Sequence, residues 1–509
     1  MMYVDPSAIT TIFGDFTPLA PMIIMIIGAL IMPAVYFGTK RRNVVTGITL
    51  AIVAISMIIN IIMMLGKYTD GYGVTGVNAL GENLYLFTYD AFAGVMILLF
   101  QTVVLLAALV SSSSTETTRH HFGAFNSLLL AAAVGMMFVA TANDLITIFL
   151  GVELASITSY VLVSMKRKDP RSAEAAVKYV IIGGLSTALT LYGLSMLYGV
   201  TGNTNISEIA ATLAGSGFSW AFGIAMITLI AGLGFKVAAA PFHAWAPDVY
   251  EGAPTPVTMF LATGSKKVGF VALFKIFLMI FVVASASEAF NMMEVRYVFA
   301  IIAAITMTVG NIIAISQNNI KRMLAYSSIA NAGYILIVMA VASEYALSSG
   351  LFYMFVHVFM KGGAFLIVGG LISAGIGEKI SDYQGLAKRA PFLAIAMMLF
   401  LFSLAGIPPL AGFTGKFFLF SSAIFVDGQM AQWVWLAFIA VLNSAISLYY
   451  YVRVIKVMFI EKGATTDKVK IPKPFTAAIV ICLAFVIILG VYPQLLMDFC
   501  TSAASALLG

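Results

Sequence analysis

Charged residues are scarce in this chain. Only 10% of its 509 residues are Asp, Glu, Lys or Arg, and 61% are hydrophobic, whereas soluble domains carry about 25% charged residues. This shortage excludes an ordinary soluble domain and indicates a protein that spans a membrane. The chain has 28 Lys and Arg against 22 Asp and Glu, but the basic residues stand in short segments between apolar runs. That placement indicates orientation in a membrane rather than nucleic-acid binding.

The sequence also lacks the motifs of common metal and nucleotide sites. Its two cysteines, Cys482 and Cys500, form no CxxC motif, which argues against zinc and iron–sulfur sites. No P-loop is present and no GxGxxG motif follows a predicted strand, so no nucleotide site is expected. The N-terminal sequence MMYVDPSAIT has no basic segment and is not expected to be a cleavable signal peptide. We therefore expect no cofactor and no metal in this chain itself.

Long apolar runs predict an all-α polytopic membrane protein. A helix needs about 20 apolar residues to span a bilayer, and fourteen such runs follow one another with short loops between them. Prolines interrupt the seventh and twelfth runs, so both are predicted to be broken helices. The predicted spans are 19–37, 44–65, 87–110, 121–141, 143–165, 173–199, 218–245, 255–283, 295–316, 322–343, 347–375, 390–426, 431–460 and 474–497.

The charges of the loops alternate along the chain. If the N-terminus lies outside, the basic loops fall on the inside, as the positive-inside rule requires, and only Lys67 and Arg296 lie on the other side. We therefore predict a multi-pass protein of a prokaryotic cytoplasmic membrane with both termini outside. The longest outside loop, 66–87, has room for a small hairpin. The inside loops carry Lys40, Arg41, Arg42, Arg119, Lys166, Arg167, Lys168, Arg171, Lys321, Arg322, Lys379, Lys388, Arg389, Lys462, Lys468, Lys470 and Lys473.

The fourth to eighth spans and the ninth to thirteenth spans form two similar blocks. Because five is an odd number, tandem blocks of five helices have opposite orientations, as in the inverted repeats of transporters. In each block the broken helix comes fourth and carries a lysine at the break, in Gly232–Pro247 and Gly406–Lys416. The predicted parts are three N-terminal spans (1–120), two repeats (121–283 and 284–460) and a last span (461–509).

After the charges of the loops and helix ends are set aside, a small set of charged residues and one histidine remain as candidates inside the predicted spans. A charge at the bilayer centre costs roughly 2.5–3.5 kcal/mol on insertion scales, so each is a candidate functional residue. Burial lowers the pKa of a lysine and a nearby carboxylate raises it, so a lysine between these influences can exchange a proton. A row of such groups would relay protons along the membrane midplane. The candidates are Glu153, Lys178, Lys236, Lys266, Lys267, Lys275, His357, Lys361 and Lys416.

These candidates also have structural interpretations. A buried Lys–Glu pair often only ties two helices together, but a single clearly buried acid, Glu153, cannot pair with every lysine. Lys275 is expected to extend toward the outside face. One of Lys266 and Lys267 is expected to face the bundle while the other points elsewhere. His243, next to the first break, either caps freed backbone or belongs to a proton entry route.

Several long motifs resemble the antiporter-like N subunit of respiratory complex I and its relatives. They are GLGFK with PFHAWAPDVYEGAPTPVT, LGVELASITSYVLV, EAAVKYVIIGG, NNIKRMLAYSSIANAGYIL and GIPPLAGFTGKF. The resemblance runs over about residues 85–460, and DVYEGAPTPVT is similar to the N type rather than to the M and L types. It implies a proton-channel subunit without a redox group, whose partner subunits carry iron–sulfur clusters and flavin.

The resemblance also implies roles for individual residues. Glu153 and Lys236 match the family's switching pair of a glutamate and a broken-helix lysine. His357 and Lys361 are similar to a pair found in the M and L types and absent from many N subunits, so the pattern of the second half-channel stays open. The remaining matches are the sixth-helix lysine Lys178, the eighth-helix lysine Lys266 and the lysine at the end of the relay, Lys416.

The sequence thus predicts a proton-translocating subunit of a complex I-like dehydrogenase. Candidate complexes are NADH:quinone oxidoreductase, a plastoquinone-reducing relative and the archaeal dehydrogenase for reduced deazaflavin (coenzyme F420). The short N-terminus and the amino-acid sequences of the motifs favour the archaeal dehydrogenase. The expected partners are other antiporter-like subunits, small membrane subunits and lipids. The alternatives are a subunit of a multisubunit Na⁺/H⁺ antiporter or membrane-bound hydrogenase, and a scaffold without a transport role.

Overall fold

The structure is a computed structural model that describes residues 16–77, 81–117, 121–166, 169–215, 219–279, 293–426, 429–463 and 467–508. Among these residues, thirteen helices are long and apolar enough to cross a membrane. One further helix, interrupted at Gly406, completes the fourteen predicted spans, so the all-α polytopic fold is confirmed. The helices are α1 (Ala20–Thr39), α2 (Arg42–Leu65), α3 (Ala91–Ser111), α4 (Phe122–Thr141), α5 (Leu145–Val163), α6 (Pro170–Thr201), α7 (Trp220–Val237), α8 (Thr255–Leu278), α9 (Met293–Ile315), α10 (Ile320–Val341), α11 (Glu344–Ser373), α12 (Pro391–Ala405 and Ala411–Ser422), α13 (Val434–Phe459), α14 (Lys473–Val491) and α15 (Gln494–Leu508).

The helices alternate in direction, so the segments that connect them lie at two opposite ends of the bundle. At the hairpin end, β1 (Asp70–Val77) and β2 (Asn83–Tyr89) form the antiparallel hairpin that the loop length predicted. The opposite end, the basic end, holds the loops after α1, α5 and α11 with their lysines and arginines. A two-residue ladder of β3 (Phe425–Val426) and β4 (Gln429–Met430) joins α12 to α13. The predicted position of the N-terminus lies outside the described residues.

Polar residues explain why several helices begin where they do. The first turn of a helix has backbone N–H groups without a partner, and short polar side chains accept hydrogen bonds from them. Asp144 accepts hydrogen bonds from the backbone N–H groups of Ile146 and Thr147 at the start of α5. The starts of α3, α6, α7, α10 and α11 are capped in the same way by Asp90, Asp169, Ser219, Asn319 and Ser343.

Three helices form the centre of the bundle. α8, α10 and α11 are almost wholly buried, whereas α1, α2, α6 and α14 turn large apolar side chains outward. Glycines allow neighbouring backbones to meet: a Cβ added to Gly135 of α4 would lie 2.7 Å from Gly151 O and Ala155 N of α5. Small residues at such contacts are typical of helix packing in membranes. This arrangement places the charged residues of α8 and α11 at the centre of the protein.

Both predicted helix breaks are present. α7 ends at Val237, and Ala238 is left-handed with a φ of 55°, before a short helix at Trp245–Gly252. The carbonyl of Phe235, freed by the break, accepts hydrogen bonds from Ala238 N–H at 2.9 Å and from the Trp245 indole at 3.0 Å. α12 breaks at Gly406, whose φ of 90° favours glycine.

Two helices of ten or more residues in the described ranges were not predicted. The first, Ile206–Gly215, follows α6, and the second, α15, follows α14 after Pro493. α15 packs against α3 and α11, and Ser505 contacts Glu344 at the start of α11. The last described residues therefore lie at the hairpin end, which the charge pattern predicts to be outside. The division into two inverted repeats stays a prediction.

Candidate functional site

Lys236 is the penultimate residue of α7, directly before the break. Its side chain is buried, and its Nζ donates a hydrogen bond to Ser156 Oγ on α5 at 2.8 Å. Glu153, one turn earlier on α5, is half-buried and accepts a hydrogen bond from Thr187 Oγ1 at 2.7 Å. The charge of Glu153 acts on Lys236, although these two described side chains form no direct ion pair. The structure brings both predicted residues into one site without a salt bridge.

Both lysines of the SKK segment in α8 are buried. Lys266 Nζ donates to the hydroxyl and the backbone carbonyl of Ser328, at 3.3 Å each, and lies 5.8 Å from the centre of the Tyr250 ring. Lys267 forms no hydrogen bond through Nζ within the described part of the chain, and its charge acts on His357. The expectation that one lysine would point away is wrong, because α8 is surrounded by other helices.

Lys361 and His357 face the centre of the bundle from α11. Lys361 Nζ donates to Ser327 Oγ at 2.6 Å and to a backbone carbonyl of α10 at 3.2 Å. Both ring nitrogens of His357 are buried and have no hydrogen-bond partner among the residues that the structure describes. The charges of Lys267, Lys361 and Lys266 all act on His357. These four side chains therefore form one central cluster between α8 and α11.

Lys416 lies in the second part of α12 and reaches back to the break. Its Nζ donates to the carbonyls of Leu404 and Ala405, at 2.8 and 3.1 Å, and to Ser444 Oγ of α13 at 2.9 Å. These carbonyls end the first part of α12, where the helix dipole favours a cation. A cavity of about 410 Å³, lined mainly by apolar side chains of α12 and α13, adjoins Lys416. The break in α12 thus supplies the ligands that hold this ammonium group.

Lys178 is not buried, contrary to the prediction. Its side chain is 42% exposed, and its Nζ pairs with Glu174 at 2.8 Å and with Asp248 at 2.7 Å. Glu174 precedes it by one turn on α6, and Asp248 belongs to the short helix after α7. α6 packs through one face only and turns Lys178 toward the outside of the bundle. The structure places Lys178 in the ion pairs of the basic end and not among the central lysines.

Lys275 was expected to extend toward the surface, and this expectation is wrong. Its side chain is buried, and its Nζ donates a hydrogen bond to the carbonyl of Ala142 at 2.7 Å. The charge of Asp90, the residue that caps α3, also acts on it. Because the turn between α4 and α5 covers Lys275, the ammonium group finds its partners inside the protein.

Glu153 is not the only acid inside the protein. Asp144 and Glu116 are more deeply buried, with exposures of 3% and 7%. Burial alone would raise the pKa of Glu116, but the charge of Lys321 and a hydrogen bond from Thr255 hold that pKa below its ordinary value. Asp144 caps α5, so both acids already have partners. No group of three or more His, Cys, Asp or Glu side chains in the described ranges is arranged to hold a metal ion.

An ion-pair network joins the loops at the basic end. Arg322 Nη1 pairs with Asp248 at 2.7 Å and with Glu251 at 2.8 Å, next to a cavity of about 1140 Å³. Burial alone would raise the pKa of Asp248, but hydrogen bonds from Lys178 and Arg322 hold that pKa below its ordinary value. The other pairs are Lys166–Glu116, Lys166–Asp169, Arg171–Asp169, Arg171–Glu378 and Lys321–Glu378.

His243 lies in the break that follows α7. Its backbone carbonyl accepts a hydrogen bond from Ala246 N–H at 3.0 Å, and its half-buried ring is influenced by the charge of Lys266. Its Nδ1 is buried without a partner within the described ranges. The structure thus gives His243 a backbone role in the break, and the entry-route interpretation stays a hypothesis.

The sequence did not identify the hydroxyl partners of the central lysines. These are Ser156, Ser327, Ser328 and Ser444. Two signals were available, because Ser156 stands one turn after Glu153 and two of the serines stand side by side in AYSSIANAGYIL. However, a serine in an apolar helix commonly bonds to the backbone of its own helix. Residue type alone therefore does not predict a contact with a lysine.

The sequence profile of a family described as NADH:quinone oxidoreductase/Mrp antiporter, TM, matches residues 142–447. The matched range contains both helix breaks and every predicted site residue from Glu153 to Lys416. The chain belongs to this family.

Three members and neighbours of this antiporter-like family are informative. The F(420)H(2) dehydrogenase subunit N of Methanosarcina mazei is 43% identical over 396 residues, which cover 75% of this chain and 77% of the relative. The NADH-quinone oxidoreductase subunit N of Bacillus anthracis is 43% identical over 382 residues, or 74% and 75% of the two chains. A chain of respiratory complex I from Thermus thermophilus superimposes with a TM-score of 0.75 at 28% identity, covering 94% of this chain and 98% of that one. The resemblance to N subunits is thus confirmed.

Proposed function

We propose that this chain is the N-type proton-translocating membrane subunit of a complex I-like dehydrogenase. One observation carries the proposal: four buried lysines place their ammonium groups against hydroxyl and carbonyl oxygens, without a direct carboxylate partner among the described residues. An ammonium group buried in this way is costly to keep charged, so these lysines are suited to losing and regaining a proton. This lysine row consists of Lys236, Lys266, Lys361 and Lys416.

The four lysines of the row act as successive proton carriers. They pass from Lys236 to Lys266, and onward through Lys361 to Lys416. Electron transfer in partner subunits changes the position or the charge of Glu153, and Glu153 sets the proton affinity of Lys236. Because neighbouring ammonium groups repel each other, a proton that arrives at one lysine favours release from the next.

His357 and Lys178 have supporting roles in this proposal. His357 stands in the central cluster with Lys266, Lys267 and Lys361, and its ring nitrogens, which have no hydrogen-bond partner among the described residues, are available to a passing proton. Lys178 acts at the basic end, where it orders the short helix after α7 through Asp248. The exposure and the two ion pairs of Lys178 support this assignment.

We also propose how the spans are arranged and in which membrane the protein lies. Residues 121–283 and 284–460 form two inverted repeats, flanked by 1–120 and 461–509, and both termini face the outside of a prokaryotic cytoplasmic membrane. Other antiporter-like subunits, small membrane subunits and lipids surround the chain, and partner subunits with iron–sulfur clusters and flavin transfer the electrons. The names of the relatives support a dehydrogenase that takes electrons from NADH or from reduced coenzyme F420. Mass spectrometry of the subunits that co-purify in mild detergent separates these two donors.

Replacement of Lys236 tests the proposed function. We expect Lys236→Ala to lower the number of protons pumped per electron pair in the assembled complex, because the first carrier of the row is lost. Proton uptake by sealed vesicles is measured together with the rate of electron transfer. The matched control is Lys456→Ala, which removes an exposed lysine of α13. Normal pumping by a fully assembled Lys236→Ala complex would refute this function.

A cation/proton antiporter component is the second candidate, because the matching family includes Mrp antiporters. Sodium binding requires several oxygen ligands around one point. The buried acids Asp144 and Glu116 are instead engaged in a helix cap and in an ion pair. A sodium-dependent proton flux in vesicles without any electron donor would favour the antiporter over the dehydrogenase subunit.

A further inference from the structure

Every member of the lysine row donates a hydrogen bond to a serine hydroxyl on a different helix. The four serines are buried or half-buried, and the N–O distances run from 2.6 to 3.3 Å. The contacts are Lys236–Ser156 at 2.8 Å, Lys266–Ser328 at 3.3 Å, Lys361–Ser327 at 2.6 Å and Lys416–Ser444 at 2.9 Å.

The chemistry of the partner distinguishes these lysines from the cations that form ion pairs at the basic end. Arg322 and Lys166 pair directly with carboxylates at the basic end. A carboxylate only accepts hydrogen bonds and carries a negative charge, so it stabilises the ammonium form of a lysine over the neutral amine. A hydroxyl group both donates and accepts. It accepts a hydrogen bond from a lysine ammonium, and after rotation it donates one to the neutral amine. For Ser156 and Ser444 this rotation takes the hydroxyl proton from the carbonyls of Val152 and Ala405, which now accept it.

Two of these serines are adjacent at the centre of the protein. Ser327 and Ser328 are consecutive residues of α10, yet the first binds Lys361 of α11 and the second binds Lys266 of α8. Ser327 also contacts the hydroxyl of Tyr451 on α13. Because Lys266 belongs to the first predicted repeat and Lys361 to the second, this serine pair spans the point where a proton passes from one repeat to the other.

We propose that Ser156, Ser327, Ser328 and Ser444 are positioning residues of the proton relay. Each holds its lysine in place in both protonation states, so that a proton can leave one Nζ and reach the next without a carboxylate trapping it. In each transfer an ammonium group loses one proton and becomes an amine, and the receiving amine becomes an ammonium group. The serine hydroxyl is unchanged at the end. This inference rests on the proposed function, because it concerns how the lysine row exchanges protons.

Alanine and threonine variants at single serines test the inference. We expect Ser156→Ala and Ser444→Ala to slow proton translocation by about tenfold or more, because a hydrogen bond to a charged group is lost. Threonine at the same positions keeps the hydroxyl and should restore pumping to within about twofold of the unmodified complex. In the alanine variants proton transfer becomes the slow step, so pumping should slow further in D2O. A hydrogen bond with a purely structural role would not produce that isotope effect.

The chain offers matched controls on the same helices. Ser159 of α5 and Ser447 of α13 are buried serines that donate to backbone carbonyls of their own helices, at 2.6 Å each. Ser159→Ala and Ser447→Ala should therefore leave the ratio of protons to electrons unchanged. If Ser156→Ala impairs assembly, Ser444→Ala decides the question, because Ser444 is half-buried beside a cavity and its loss disturbs packing least.

Lysine variants in the same vesicles separate the two proposals. If Lys236→Ala abolishes pumping while Ser156→Ala and Ser444→Ala pump at the normal rate, the serine inference is wrong and the proposed function stands. If Lys236→Ala itself pumps normally, the proposed function fails, and the inference fails with it. Loss of pumping in the lysine and serine variants, with normal controls and threonine rescue, supports both.

Discussion

At the scale of single residues, the surroundings of a buried lysine indicate whether it serves as a fixed cation. Lys275 differs from the lysine row because its Nζ donates to no serine hydroxyl among the described residues. Its ammonium group binds the carbonyl of Ala142, lies 5.6 Å from the centre of the Phe92 ring and senses the charge of Asp90. Burial raises the pKa of Asp90, and the charge of Lys275 opposes that effect. We interpret Lys275 as a permanent tie between α8, α3 and the turn after α4.

This interpretation predicts a rescue between two substitutions. Lys275→Met leaves Asp90 without its cation and should lower the free energy of unfolding by about 1–3 kcal/mol. Adding Asp90→Asn should recover most of this loss, because asparagine still caps α3 and carries no charge. Thermal unfolding of the purified complex in detergent measures both effects. Equal stabilities of Lys275→Met and the unmodified complex would show that the tie contributes nothing.

At the scale of helices, close contacts between backbones determine where the candidate site residues stand. α5 carries both Glu153 and Ser156, and it packs directly against Gly135 of α4. The nearest atoms to a Cβ on Gly135 belong to the backbone of α5, so a side chain there cannot be accommodated by a rotamer change. The position of Glu153 and Ser156 relative to α7 thus depends on a glycine that has no chemical role.

A matched pair of glycine substitutions tests this dependence. Gly135→Ala should lower the free energy of unfolding by about 1–3 kcal/mol through overpacking, and it should reduce pumping because α5 shifts. Gly184→Ala on the outer side of α6 meets no atom within 4 Å, so it should cause no loss of either property. Unfolding midpoints and vesicle pumping are compared for the two variants. A harmless Gly135→Ala would show that α4 and α5 can separate without consequence.

The helices themselves were largely predictable from the sequence, whereas the surroundings of the charges were not. Long apolar runs and two proline interruptions predict fourteen spans and both breaks, because spanning length and backbone donors are local properties. Which side of a helix faces outward depends on packing between distant segments. The burial of Lys178 was therefore predicted wrongly, although Glu174 four residues earlier is the pattern of an exposed helical ion pair. The partners of Lys275 come from α3 and the turn after α4, which no local pattern indicates.

At the scale of the whole molecule, acids and bases are distributed differently at the basic end and at the centre. At the basic end the charges pair across loops and connect α5, α6, α8, α10 and α11. At the centre, ammonium groups outnumber carboxylates and bind neutral oxygens. We infer that the basic end fixes the relative positions of the helices, which leaves the central side chains free to change protonation.

The ion pairs of the basic end should weaken in acid. Burial alone would raise the pKa of Asp169, but hydrogen bonds from Arg171 and Lys166 hold that pKa at about 2. This value lies below the pKa of about 3.9 in an unfolded chain. A lowered pKa means that the stabilisation is complete above about pH 4 and is lost as the pH falls toward 2. Asp169→Asn keeps the cap on α6 but should be less stable than the unmodified protein above about pH 4.

The difference in unfolding midpoint between the two proteins should therefore shrink on acidification and be lost as the pH falls through about 2. Unfolding midpoints between pH 2 and pH 6 in a lipid nanodisc measure it, with Asp498→Asn on α15, away from the network, as the control. A difference that stays constant over this range would contradict the assignment, because only the titration of Asp169 makes it depend on pH.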